Sequence, residues 1–203
     1  MGDHLFEILC QNLAQTGYSV HANGLPEKLS QMLWNEIQGS HSVKFHKAGI
    51  GRGEDNAINA LVRNDEVSWI DDTTETGAAW LAWTARLQAY LNESLFLGLS
   101  SFESHFARYE NGGFYQKHHD AFRDGEGRKL SIVVYLNKNW ECKDGGALIL
   151  YTGDVHATEI NIAPTFGTFV VFLSEEIPHE VLTTNRDRIS VAGWFRTRNT
   201  IVN

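Results

Sequence analysis

Apolar residues recur at helical spacing in three stretches and at strand spacing through the second half of the chain. Leu5, Ile8, Leu9 and Leu13 form one stripe, which predicts a helix that Asp3 can cap, running to about Leu13 with Gly17 just past its end. An extended piece from Tyr18 to Ala22 follows. Pro26 stands where a second helix begins, and Leu29, Leu33 and Ile37 repeat at four-residue spacing up to Gly39. After Thr76, Trp80, Trp83, Leu87, Leu91 and Leu95 mark the longest helix, whose broad apolar face is expected to dock on the outside of a sheet.

Between Ser40 and Trp69 the periodicity weakens, and Gly49, Gly51 and Gly53 interrupt two expected strands, Val43 to Lys47 and Ala57 to Arg63. Residues 49–69 therefore read as a mobile hairpin or flap. Alternating glycines without the wider dinucleotide pattern read as a flexible turn and not as a phosphate site. From Ser101 onward short strands alternate with turns: Glu103 to Tyr109, Leu130 to Leu136, Ala147 to Tyr151, Ala157 to Ile162, Thr168 to Leu173, His179 to Leu182 and Arg188 to Arg196. Strands of that length and interval predict a mainly β (α+β) fold, a double-sheet jelly roll with the helices packed on one sheet, or a barrel. One domain over 1–203 is expected, with 1–100 as helical support plus flap and 101–198 as the jelly-roll core.

The 203 residues suffice for a sizeable core, and the two cysteines, Cys10 and Cys142, give no disulfide framework. No window approaches a membrane span, and the start, Met-Gly-Asp-His-Leu-Phe, has no basic stretch before an apolar run. A soluble protein of a reducing, cytoplasmic compartment is the expectation, with no membrane partner. A net charge of -8 and a pI near 5.5 make nucleic acid an unlikely partner. Lys117, Arg123, Arg128 and Lys129 cluster locally and read first as solvated loop charge, and second as a site for an acidic cosubstrate or an acidic partner segment.

Candidate chemistry concentrates in Tyr109-Glu-Asn-Gly-Gly-Phe-Tyr-Gln-Lys-His118-His119-Asp120. Side chains alternate along an extended chain, so His118 and Asp120 share one side and His119 takes the other. Asp120 is a poor strand former and suits a strand end facing a cavity. His179 supplies a third ligand; two histidines and a carboxylate with open positions suit non-haem Fe(II). His179 and Arg188 read as belonging to one terminal hairpin, with Thr183 to Asp187 as its connection. Arg188 fits a carboxylate clamp, because its planar fork binds in two places and stays charged. Ser190 shares its strand face and offers a hydroxyl.

His118-x-Asp120, His179 and Arg188 resemble the signature of the Fe(II)- and 2-oxoglutarate-dependent dioxygenases. Within that superfamily the chain is most similar to the prolyl 4-hydroxylases related to the hypoxia-inducible-factor hydroxylases, on Arg63-Asn-Asp-Glu-Val-Ser-Trp69-Ile, Tyr135-Leu-Asn-Lys-Asn-Trp140, Gly145-Gly-Ala-Leu148, Pro178-His179-Glu-Val and Trp194. The resemblance implies that His118, Asp120 and His179 hold iron and that Arg188 with Tyr135 binds the distal carboxylate of 2-oxoglutarate. It implies pocket positions for Tyr109 and Leu148, a wall near the substrate proline for Trp194, and a substrate-covering loop based on Arg63 and Asp65. It also implies O2 as co-reactant, ascorbate as reductant and a protein substrate with an exposed prolyl loop, such as a translation factor. The chain departs from the animal enzymes in a segment from Tyr109 to His118 that is one residue shorter, and in His119 where they carry a small apolar residue. Other readings stay open: the same chemistry on another side chain or on nucleic acid, a zinc hydrolase, or a jelly-roll module without catalysis.

Overall fold

The computed structural model describes residues 2–39, 43–49, 61–121, 127–153 and 158–198. Three helices, α1 (Gly2–Thr16), α2 (Glu27–Gln38) and α3 (Glu75–Leu95), precede or interrupt the strands. The α1 helix runs a turn beyond the expected Leu13 and ends at Gly17, whose φ of 79° is the left-handed conformation a glycine terminator supplies. Pro26 precedes the first residue of α2. Thr74 caps α3 by accepting a hydrogen bond from the backbone N–H of Gly77 at 2.9 Å.

The strands are β1 (Tyr18–His21), β2 (His46–Lys47), β3 (Glu66–Trp69), β4 (Leu99–Tyr109), β5 (Tyr115–His118), β6 (Arg128–Tyr135), β7 (Leu148–Thr152), β8 (Thr158–Ile162), β9 (Phe169–Leu173), β10 (His179–Val181) and β11 (Arg188–Thr197). They form two facing antiparallel sheets, one ordered β1-β9-β6-β11-β4-β3-β2 and one ordered β5-β10-β7-β8. This is the expected mainly β, double-sheet architecture. The first hundred residues do more than support it, since β1, β2 and β3 extend the larger sheet. Most of the expected second strand of the flap, Ala57 to Arg63, lies outside the described residues, as do Gly51 and Gly53. The strand found in that region is β3, pairing with β4 and β2.

Alternation divides the larger sheet into two faces. Phe106, Leu130, Ile132, Val134, Phe169, Val171, Val191 and Phe195 point outward into a core shared with Leu9, Leu33, Trp80, Leu87 and Leu91 of the helices. Trp80 is fully buried there and its indole N–H donates to Ser104 at 2.9 Å. The other face carries Ala107, Tyr109, Tyr135, Val170 and Phe172 toward Leu148, Leu150, Ile162 and Val181 of the smaller sheet. The helices thus back one sheet, and the space between the sheets is left for chemistry.

One sequence expectation fails here. His179 and Arg188 do not form a terminal hairpin: β10 pairs with β5 and β7 in the smaller sheet, whereas β11 pairs with β4 and β6 in the larger. The connecting residues cross between sheets, held by the Gly145–Thr184 bridge and by the Gly112 N–H donating to the Thr184 carbonyl at 2.7 Å. A five-residue connection is compatible with a hairpin, but inward-facing side chains on both strands favour burial from opposite sides.

Candidate active site

The smaller sheet brings the two histidines together. His179 of β10 lies opposite His118 of β5 in register, and their rings approach to 4.3 Å between centroids. Strand β5 ends at His118, so Asp120 sits in the bend beyond it, while His119 is exposed. The expected separation of His118 and Asp120 from His119 is what the structure shows. The ligand atoms of His118, Asp120 and His179 lie within 4.8 Å of one another.

Each histidine is oriented by its other ring nitrogen. His118 Nδ1 lies 2.7 Å from the Gln116 carbonyl and His179 Nδ1 3.2 Å from the Ile177 carbonyl. A carbonyl only accepts, so each Nδ1 carries the proton and each Nε2 keeps a free lone pair. Both Nε2 atoms face Asp120, at 3.5 Å from Oδ1 for His118 and 3.5 Å from Oδ2 for His179. Burial alone would push the Asp120 carboxyl up, but His179 and His118 hold it well below the usual carboxylate range. A half-buried carboxylate with two imidazole nitrogens converging on it suits a divalent cation, and two histidines with one carboxylate leave positions open.

Further side chains steady this set. Ser131, on the inner face of β6, donates to Asp120 Oδ2 at 2.6 Å. Tyr115 stacks on His118 at 3.6 Å between centroids, and the Arg63 guanidinium lies 4.3 Å above Tyr115. Arg63 also pairs through two nitrogens with Asp65, at 2.7 and 2.6 Å, and Asp65 is buried. Burial would lower the Arg63 pKa, but Asp65 holds it above its ordinary value. The pair therefore belongs to the wall beside His118. Arg128 corrects another expectation: it is half-buried, donates to Glu103 at 2.9 and 3.1 Å, and lies 3.8 Å over the Trp194 ring, so it is not solvated loop charge. Arg123 falls outside the described residues. Ser131, Tyr115 and Arg128 were not singled out as site residues; a serine inside the apolar run Leu130 to Tyr135 was the available signal for the first.

The larger sheet supplies the other end. Arg188 is 2% exposed; its Nε donates to the Gly146 carbonyl at 2.8 Å and its Nη1 reaches Ser190 Oγ at 3.5 Å. No carboxylate pairs with it among the described residues. The rings of Tyr109 and Tyr135 stand 5.0 and 4.9 Å from its guanidinium. Tyr135 is fully buried and its hydroxyl has no hydrogen-bond partner; burial pushes it up to about 12, so it stays protonated as a donor. A buried arginine and an orphaned phenol, walled by Leu148 and Tyr109, lack one thing, an anionic acceptor. Gly146 keeps the space open: its φ is 66°, and a Cβ there would stand 3.0 Å from Arg188 Cδ. These residues fit a carboxylate, as the metal set fits Fe(II).

Comparison with known proteins agrees. Residues 104–196 match the 2OG-Fe(II) oxygenase superfamily. The chain is 24% identical over 197 residues to the human prolyl hydroxylase EGLN3, covering 93% of this chain and 82% of that protein. It is 38% identical to a Pseudomonas putida prolyl-4-hydroxylase of known structure, with a TM-score of 0.86 covering 96% of this chain and 100% of the other. A Trichoplax adhaerens prolyl hydroxylase, solved with a hypoxia-inducible-factor peptide, shares the fold at 23% identity and a TM-score of 0.79, covering 96% of this chain and 90% of that one. With the His118, Asp120 and His179 cluster and the buried Arg188 of β11 all inside the matched residues, the chain belongs to the 2OG-Fe(II) oxygenase superfamily.

Proposed function

We propose that this protein is an Fe(II)- and 2-oxoglutarate-dependent dioxygenase that hydroxylates a prolyl residue of a protein substrate. The observation that carries the cosubstrate is Arg188, a buried cation without a carboxylate among the described residues, facing the orphaned Tyr135 hydroxyl. A zinc hydrolase has no use for that clamp. The prolyl substrate is supported by the similarity to the Pseudomonas putida enzyme over the whole of its chain.

In this reading His118, Asp120 and His179 hold the iron through Nε2 and carboxylate oxygens. Arg188 and Tyr135 bind the distal carboxylate, with Ser190 steadying the guanidinium and Tyr109 and Leu148 shaping the pocket. With O2 and 2-oxoglutarate, bound iron supplies the oxidation of a C–H bond to C–OH, with succinate and CO2 as the other products. The protein's own residues orient and exclude water. The neutral Tyr135 and permanently charged Arg188 donate without giving up a proton. A carboxylate at position 120 leaves no room for a halide there, which favours hydroxylation. Trp194 forms the wall beside the target proline, and Arg63 with Asp65 anchors the loop that covers the substrate.

Ascorbate is the proposed reductant and a cytoplasmic location the proposed setting, the latter consistent with the free thiols of Cys10 and Cys142. Among proteins with exposed prolyl loops, a translation factor is the proposed partner. The test incubates the protein with Fe(II), 2-oxoglutarate, ascorbate and fractionated cell proteins, and follows succinate and mass gain. One added oxygen atom mapped to proline is the expected result. Oxygen on another side chain, or on nucleic acid, refutes the substrate class. No succinate refutes the chemistry.

A further inference from the structure

Strand β11 carries the site's inward-facing residues in order, Arg188, Ser190, Ala192 and Trp194, and its register locates what each one meets. Arg188 lies opposite Tyr109, Ser190 opposite Tyr135, and Trp194 opposite Ser131, the residue that holds Asp120. Trp194 is therefore roughly 20 Å along the strand from the clamp and level with the serine that holds Asp120, at the end of the site that the cosubstrate clamp leaves to substrate. His105 of β4 is beside it. It shares an inner face with Ala107 and Tyr109, and its ring sits 5.3 Å from that of Trp194 and 5.1 Å from that of Trp69. Trp69 is 59% exposed, so the three rings run from the surface toward the metal ligands.

Two polar atoms in this row have no partner. Nδ1 of the buried His105 and Nε1 of the buried Trp194 are both shielded from solvent and lack any hydrogen bond. Buried polar groups are normally satisfied, and one left open at a site implies an acceptor or donor that arrives with a ligand. The indole nitrogen can only donate. Burial, then the charge of Arg63, pushes His105 down to about 4, so its ring is neutral near pH 7 and can carry its proton on Nδ1. A peptide around a target proline presents carbonyls without a donor at that residue, because proline has no N–H. Two enzyme donors are the complement of that segment.

We infer that His105 is a specificity-determining residue, which together with the Trp194 indole N–H donates to main-chain carbonyls flanking the target proline. This rests on the prolyl reading above and adds the residue that selects the peptide's local conformation. Neither group takes part in the oxidation; each orders the carbonyls on either side of the residue that is oxidised.

The experiment begins with a pool of synthetic peptides, each holding one proline among varied neighbours, exposed to the Fe(II)-loaded wild-type protein with 2-oxoglutarate and O2. The peptide oxidised fastest becomes the probe. Its dissociation constant is measured without oxygen on Mn(II)- and 2-oxoglutarate-loaded protein, for wild type, His105→Leu, His105→Gln and Trp194→Phe. His105→Leu should weaken the probe about tenfold, the factor for one buried neutral hydrogen bond. His105→Gln, which restores an N–H, should recover most of that loss. Affinity for 2-oxoglutarate should stay near the wild-type value in both. Replacing the carbonyl of proline or of the preceding residue by a thiocarbonyl, a poor acceptor, should weaken the wild type at both positions. At the position that accepts from His105, the same replacement should cost His105→Leu nothing further. Equal probe affinity in His105→Leu and wild type overturns the assignment. So does a glutamine variant as weak as the leucine one, which marks a packing role. If the wild type oxidises none of the prolyl peptides, the prolyl reading itself falls and takes this inference with it.

Discussion

Replacing Arg188 by methionine separates a carboxylate clamp from a structural arginine. The side chain is 2% exposed, donates through Nε to Gly146 and reaches Ser190, and has no carboxylate among the described residues. In the free protein two effects of the change oppose each other. Removing an unpaired buried charge removes a desolvation penalty, whereas orphaning the Gly146 carbonyl costs about 1 to 3 kcal/mol. Unfolding free energy should therefore move by less than about 2 kcal/mol. With 2-oxoglutarate the balance differs, because one partner of a buried charge pair is gone. That loss is about 2 to 5 kcal/mol, a fall in affinity of roughly 30-fold to a few thousand-fold. The assay is 2-oxoglutarate titration of Mn(II)-loaded protein without oxygen, beside urea unfolding of the same samples. Metal affinity measured without 2-oxoglutarate should barely change, since both histidines sit on the other sheet and Asp120 is held by Ser131 and not by Arg188. Unchanged 2-oxoglutarate affinity refutes the clamp. A stability loss well beyond about 3 kcal/mol with a matching loss of metal refutes the separation of the two ends of the pocket.

Alanine at His118, Asp120 or His179 should abolish stoichiometric Fe(II) binding with the circular dichroism spectrum preserved, and alanine at the exposed His119 should not; metal retained in all three triad variants would displace the site. Ser131→Ala frees an oxygen of Asp120 and should weaken metal about 10- to 100-fold, the range for partners that orient a ligand, read by competition with a fluorescent chelator. His105 also links stability to pH. Its folded value of about 4 lies below the ordinary 6.5, so its stabilising contribution is complete above 6.5 and is lost as pH falls toward 4. Unfolding free energy of the wild type should therefore drop by roughly 3 kcal/mol more than that of His105→Leu between those limits. Parallel urea-denaturation profiles for the two proteins would place the histidine in a solvated setting.

The helices were legible because a 3.6-residue apolar repeat is a local property, and each stripe found the burial it called for: Leu9, Leu33, Trp80, Leu87 and Leu91 meet in one core. The later strands were legible for the same reason, as was the jelly-roll class that their number and spacing imply. The triad was readable in part from spacing, since residues two apart on extended chain point alike, and from the resemblance carried by the motifs around it. Three features came from the tertiary structure. Strands β10 and β11 part into opposite sheets, because pairing depends on which distant edge is available and a five-residue connector does not specify it. Arg128 turns inward because Glu103 and Trp194, far from it in sequence, offer a carboxylate and a ring face at the same place. His105 reads as an unremarkable polar residue within a strand; its meaning lies in the two tryptophans that the folded sheet brings to its ring and in the nitrogen they leave without a partner. Periodicity decides which way a side chain faces, whereas its chemistry depends on partners that are brought to it only when loops close and sheets pack.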